Sequence, residues 1–215
     1  TFQMFTASPS QWCVQPATAA NPTSDRTVAA AWSAPPLDAD ETRAFRVALK
    51  ASKLKFPTAH DSYLINLASP DDALQRRSIE AFIVEVERAD ALGLAYLVMH
   101  PGTPTDGNDD AGLTRIAHAL DEVHDRCASA KVKVLLETTA GQGKTLGWRY
   151  EHLAAILERV RHPRRLGVGM DSCHVLAAGY ALAPRAEYER TMAEFDRVIG
   201  IKRLKVFHLN DSKKP

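Results

Sequence analysis

Cysteine is scarce in this chain of 215 residues, and the three present, Cys13, Cys127 and Cys173, form no C-x-x-C pair. An odd number without ligand spacing supports neither a disulfide framework nor a zinc finger, so the thiols read as core or incidental residues. Long apolar runs are missing too. No stretch approaches the roughly 18 to 20 residues that cross a bilayer, and Thr1 to Ala20 has neither the basic start nor the apolar core of a secretion signal. The expectation is a cytoplasmic protein with no membrane partner. An excess of one charge is also lacking, with 27 Lys and Arg against 26 Asp and Glu and a net charge of +1. That balance excludes the general electrostatic pull of strongly basic nucleic-acid binders. Positive charge for such a partner must be local, at Arg161 to Arg165, Lys202 to Lys205 and Lys213 to Lys214, or come from bound divalent cations. The alternative is that these clusters are solvated helix ends and loops.

What the chain does contain is 45% hydrophobic and 25% charged residues, the balance of a soluble globular protein with one substantial core. A single domain over residues 1–215 follows as the default. Five metal-binding residue types, His60, His100, Glu137, Asp171 and His208, recur at intervals of 40, 37, 34 and 37 residues. Each stands just after a short apolar run: Lys53 to Ala59, Leu94 to Met99, Val132 to Leu136, Leu166 to Met170 and Arg203 to Phe207. One strand, one helix and two loops take roughly 30 to 40 residues, so the intervals fit a repeating β-strand, α-helix unit. In a closed barrel of parallel strands the carboxyl ends converge on one face, where active sites are built. The fold expectation is therefore α/β, a TIM (β/α)8 barrel, with a polynuclear metal site at its strand ends.

The segments between the runs agree. Ser69 can cap a helix, Pro70 suits its first position and the following acids favour its positive end. Leu74, Ile79, Phe82, Ile83, Val86 and Ala89 then follow helical spacing, and Gly93 can end the helix. Leu113, Ile116, Ala117, Leu120, Val123 and Cys127 make one face of a second helix. Further helices are expected at Asp40 to Ala51, Tyr150 to Val160 and Arg185 to Ile199, and a further strand at Phe2 to Phe5. About six strands are counted where a full barrel has eight and about 250 residues, so the expectation is an incomplete barrel, truncated at both ends. Residues 13–36, rich in Ala, Pro, Thr and Ser, read as a loop insertion.

The local sequences sharpen the reading. They are His60-Asp-Ser-Tyr-Leu-Ile-Asn-Leu67, His100-Pro-Gly102, Glu137-Thr-Thr-Ala-Gly-Gln-Gly143, Asp171-Ser-Cys-His-Val-Leu-Ala-Ala-Gly-Tyr180 and His208-Leu-Asn-Asp-Ser212. In this order and spacing they resemble the endonuclease IV family of zinc-dependent apurinic/apyrimidinic (AP) endonucleases, with the resemblance running from Phe2 to Lys214. A lone histidine at a strand end is more often structural than a ligand, but five ligand types at successive strand ends reverse those odds. His118, His124, His152 and His162 lack such placement and read as ordinary helix or loop residues.

The resemblance implies a TIM barrel holding three Zn2+ ions. His60 and His100 would hold the first, Glu137 would bridge it to a second that Asp171 and His208 also bind, and His174 would serve the third. Glu137 is thereby the catalytic candidate. The implied reaction is hydrolysis of the phosphodiester 5′ to an abasic site in double-stranded DNA, leaving a 3′-hydroxyl. Tyr63 and Leu64 match the residues that enter the DNA at the lesion; the alternative is that they pack under their loop. The family arginine that contacts DNA after the second strand aligns with Ser10. An Asp-x-His pair and a later glutamate of the family pattern are not found in these 215 residues. One site is thus nearly complete and two are partial, and weak or absent activity is expected of this chain.

One phosphate motif is rejected. Gly141-Gln-Gly-Lys-Thr145 resembles the end of a P-loop, but that pattern needs glycine where this chain has Thr138. The competing functions are a metal-dependent sugar isomerase or epimerase on the same barrel, using Glu137, Asp171 and His208 around one ion, and a noncatalytic DNA-binding remnant. His60, His100 and His174 favour the nuclease, since a one-metal isomerase does not require them. The imidazoles of the first site favour zinc over manganese.

Overall fold

The computed structural model describes Gln3–Phe5 and residues 36–212. The 13–36 insertion, apart from Pro36, the Ser10 position and Lys213 and Lys214 lie outside the described residues. Six strands form one sheet in sequential order: β1 (Gln3–Phe5), β2 (Thr58–His60), β3 (Tyr96–Met99), β4 (Lys133–Glu137), β5 (Leu166–Asp171) and β6 (Leu204–His208). Every neighbouring pair is parallel. Between them lie α1 (Ala39–Ser52), α2 (Asp72–Leu92), α3 (Asp109–Arg126), α4 (Tyr150–Arg159), the short α5 (Ser172–Ala177) and α6 (Arg185–Val198). Parallel neighbours separated by helical crossovers are the repeat that the ligand intervals imply.

Strand alternation divides the core in two. Leu97, Met99, Val134, Leu136, Val168 and Met170 pack with helix residues such as Phe82, Val86, Ile116, Leu120 and Ile156. Val98, Leu135 and Val206 form a separate cluster with Tyr96 against it. The strands are buried on both faces, which is why each reads as a continuous apolar run rather than an alternating one. Side chains two residues apart share a face, so Val98, Leu135 and Val206 place His100, Glu137 and His208 on the inner side just above them.

The expected boundaries move at two places. Of the Lys53 to Ala59 run only its last residues join a strand, because Lys53 takes a left-handed conformation (φ 58°) that ends α1 and the chain turns before Thr58. In α2 the cap is Asp71, whose side chain accepts from Leu74 N at 2.8 Å, rather than Ser69. Ser69 instead accepts from Asp71 N at 3.1 Å, a local turn leading into the helix. Gly93 ends α2, and the predicted faces of α2 and α3 are buried except for Leu74 in the first turn of α2, which is half-buried. No helix among the described residues is long and apolar enough to cross a membrane.

Candidate metal centre

Three imidazoles from three strand ends meet on one carboxylate. Glu137 Oε2 lies 3.0 Å from His60 Nε2 and 2.8 Å from His100 Nε2, and Glu137 Oε1 lies 2.5 Å from His208 Nδ1. Glu137 ends β4, while His60 and His208 stand on β2 and β6, two strands away on either side. In a flat sheet four strand spacings separate β2 from β6 by roughly 19 Å. The His60 and His208 rings are only 6.4 Å apart, so the sheet curls enough to turn its strand ends inward. A register shift between Val168 and Gly169 accompanies this and leaves Asp171 paired with His208.

Two groups of donors result. His60, His100 and Glu137 have ligand atoms within 4.8 Å of one another, and so do Glu137, Asp171 and His174. His208 joins the second, with Nδ1 3.9 Å from Asp171 Oδ2. All six predicted ligands thus line one cavity of about 720 Å³, and Glu137 belongs to both groups. Tyr63 stands at its edge, 63% exposed, with its ring 5.0 Å from His60 and 5.3 Å from His100. Leu64 is exposed beside it, so neither side chain packs under the loop.

The electrostatics are those of a site that balances charge by convergence. Burial alone would raise the Glu137 carboxyl, but hydrogen bonds from His100, His208 and His60 hold it well below the usual carboxylate range. Burial opposes a charge on His60, yet hydrogen bonds to Asp61 and Glu137 outweigh it and push its pKa up to about 11. A divalent cation can replace the imidazole protons on the same lone pairs and preserve this balance. His208 Nε2, buried with no hydrogen-bond partner, is a further nitrogen open to such a role. Imidazole and carboxylate donors together suit a borderline cation such as zinc.

Several supporting groups lie outside the ligand rhythm. His60 Nδ1 is 3.0 Å from the Asp61 carbonyl and 3.3 Å from Asp61 Oδ1, which leaves Nε2 facing the cavity. Buried Asp61 is backed by Glu85 of α2, whose carboxyl is pushed up to about 8 by burial and by Asp61. Thr138 Oγ1 accepts from Asp171 N at 3.0 Å, and the Thr138 carbonyl accepts from His174 Nδ1 at 2.8 Å. Asn210 donates its side-chain amide to Asp171 Oδ2. Such partners fix ring and carboxylate orientation around a metal. Glu85 is visible in sequence as an acid on the apolar face of α2, and Asp61 as an acid adjoining a ligand. Thr138 has no sequence signal, because its role depends on contacts with β5 and α5.

The basic clusters fall elsewhere. Arg161 to Arg165 precede β5, and Lys202 to Lys205 open β6, at the end of the sheet opposite the ligands. Arg161 pairs with Asp121 and Asp125, and Arg165 donates to the His124, Cys127 and Ala130 carbonyls at the end of α3. Arg203 donates to Pro163 O and Lys205 to Lys202 O. Arg161, Arg165, Arg203 and Lys205 thus brace the amino end of the sheet rather than surround the candidate metal centre. His152 also exceeds its plain reading, since its Nδ1 accepts from Gly147 N at 3.2 Å and pins the loop after β4.

Residues 19–215 match the family described as xylose isomerase-like TIM barrel. Fold and site together define the chain as a member of that class. Within it, the chain is 45% identical over 183 residues to a probable endonuclease 4 of Chloroflexus aurantiacus, covering 85% of this chain and 64% of that protein. It is 41% identical over 214 residues to a probable endonuclease 4 of Trichlorobacter lovleyi, covering 100% of this chain and 69% of that one. The crystal structure of endonuclease IV from Thermus thermophilus superposes with a TM-score of 0.76 at 30% identity, covering 98% of this chain and 66% of that one. The chain belongs to the endonuclease IV family. It spans just under two thirds of the length of the Chloroflexus relative. A D-tagatose 3-epimerase-like protein, with a TM-score of 0.64 and 20% identity, shares the fold.

Proposed function

We propose that the chain carries the metal centre of an AP endonuclease, hydrolysing the phosphodiester 5′ to abasic sites in double-stranded DNA. The observation that carries this reading is the convergence of His60, His100 and His208 on Glu137, with Asp171 and His174 in the same cavity. His60 and His100 would hold a first zinc ion, Asp171 and His208 a second, with Glu137 serving both, and His174 would serve a third. Adjacent zinc ions, when bound, polarise a phosphodiester and lower the pKa of a water enough for it to act as nucleophile at neutral pH. The chain's own groups arrange the site: Asp61 sets the His60 ring, while Thr138 and Asn210 hold Asp171 and His174 in place. Tyr63 and Leu64 project from the rim and fill the gap left by the missing base.

The protein acts as a single cytoplasmic domain on this reading. The 215-residue polypeptide tested alone cleaves weakly, because its side chains complete one ion's ligand set and only part of the other two. The deciding experiment incubates the zinc-loaded chain with a duplex bearing one abasic-site analogue and with the intact duplex. Products confined to the lesion and extendable by a DNA polymerase, lost in Glu137→Gln, are the expected outcome. Products whose 3′ ends cannot be extended, or equal cleavage of the intact duplex, would overturn the reading. A turnover within tenfold of the Chloroflexus relative would overturn the expectation of weak activity.

A further inference from the structure

Among the described residues, the loops that leave the carboxyl ends of β2 to β6 are almost devoid of cations; Lys213 and Lys214, after β6, lie outside them. Residues 61–71, 100–108, 172–184 and 209–212 contain neither lysine nor arginine. The loop between β4 and α4, residues 138–149, contains two: Lys144 and Arg149. The larger basic clusters stand at the opposite end of the sheet. A phosphodiester brought to the centre in a duplex carries neighbouring phosphates with it, and the described loops offer them these two side chains.

The loop is built to hold them in place. Its base is tied to the segment after His100 by Leu146 N to Gly102 O at 2.8 Å and by a hydroxyl pair, Thr103 with Thr145, at 3.0 Å. Its return is tied by Thr139 Oγ1 to Leu146 O at 3.0 Å and by Gly147 N to His152. At the tip, Gly143 faces open space, and Lys144 adopts φ 68°. A positive φ is costly for a lysine and easy for glycine, so a residue with a side chain occupies a position whose backbone favours none. Lys53 takes the same conformation where it ends α1, whereas Lys144 stands at the tip of a loop with no α-helix to close. Lys144 is exposed and forms no ion pair among the described residues. Its ammonium lies 3.4 Å from where a Cβ on Gly107 would stand, so it reaches across to the loop that follows His100. Arg149 lies 5.8 Å over the Trp148 ring, which itself packs against Gly141 and edge-on to His152. Its Nε is 3.5 Å from Glu151, an exposed pairing that a phosphate can displace.

We propose that Lys144 and Arg149 form a phosphate-binding arm that grips the DNA backbone beside the metal centre. This rests on the endonuclease reading above and adds to it the residues that supply backbone affinity. A lysine at the strained tip acts as a point charge, and the arginine offers a planar fork for phosphate oxygens. Each contact releases counterions and contributes to the salt dependence of binding.

The test measures binding of the zinc-loaded chain to a fluorescent duplex carrying an abasic-site analogue, by anisotropy over a series of KCl concentrations. Lys144→Gln and Arg149→Gln should each lower the slope of log Kd against log [salt] by about 1, and the double variant by about 2. Lys144→Gly should lower the slope equally while leaving Tm unchanged or higher, a combination that a merely structural role does not produce. Zinc content should be unchanged in all of them, and Arg164→Gln, at the other end of the sheet, should keep the parental slope. If the parent binds the abasic duplex and both single variants retain its slope, the phosphate-binding arm is wrong while the functional reading stands. If the parent shows no preference for the abasic duplex over intact DNA, the functional reading fails first and the arm with it.

Discussion

The two ends of the same six strands carry polar groups in opposite conditions. At the carboxyl end, three imidazoles and a buried carboxylate crowd together, and His208 Nε2 is buried with no partner. At the amino end, the guanidinium groups of Arg161 and Arg165 are paired with the carboxylates of Asp121 and Asp125 and with carbonyls at the end of α3. Both ends are charged, yet one is arranged to accept a ligand and the other to close the barrel floor. The difference is one of convergence: at the carboxyl end three imidazoles share one buried carboxylate, whereas at the amino end Arg161 and Arg165 each have partners of their own and buried His124, with neither ring nitrogen hydrogen-bonded, is held neutral.

The comparison can be broken most decisively at Glu137. Glu137→Gln removes the one charge on which three imidazoles converge, and zinc affinity should fall by more than about 100-fold in competition with a chromophoric chelator. Retention of affinity within threefold would sink the claim that this end is the ligand-binding one. Asp61→Ala should weaken zinc binding by about 10-fold, since His60 keeps the backbone carbonyl of residue 61 but loses the carboxylate beside its Nδ1. Asp61→Asn, which keeps the backbone contact and an acceptor oxygen, should recover part of the loss.

At the amino end the expected effects fall on stability. Asp121 accepts from Arg161 N at 2.8 Å and from Arg161 Nε at 3.1 Å. Asp121→Ala should therefore cost about 1–3 kcal/mol in urea unfolding and leave zinc affinity untouched. A change in zinc affinity here would show that the two ends are coupled. A smaller effect should come from His124, buried near Arg165, whose pKa burial and that positive charge depress from 6.5 to about 4. The unfolded chain takes up this proton first as pH falls, so the contribution is intact above pH 6.5 and lost progressively towards pH 4. By pH 5 the loss should be about 2 kcal/mol, and His124→Leu should flatten the stability profile over that window. An unchanged profile would mean that His124 titrates alike in the folded and unfolded chain.

Much of the fold is legible because strands buried on both faces leave continuous apolar runs, and because side chains two residues apart share a face. Val98 and His100, Leu135 and Glu137, Val206 and His208 are three instances of one rule. The cap of α2 is less legible, since Ser69, Asp71 and Asp72 can all cap and only the local turn selects Asp71. The basic clusters are misleading in sequence. Arg161 to Arg165 look like a surface for a polyanion until Asp121, 40 residues away, is found beside Arg161.

What the chain's order of residues determines by itself is the set of candidate ligands and the end of each strand on which they stand, because both follow from local periodicity. What only the tertiary structure decides is how those ligands share one another. Glu137 becomes the hub because the sheet curls until His60 and His208, separated from it by 77 and 71 residues, both reach its carboxylate. That curvature comes from strand twist, a shifted register between β5 and β6 and the packing of helices on the outer face. These are properties of elements pressed together, and no short stretch of the chain contains them.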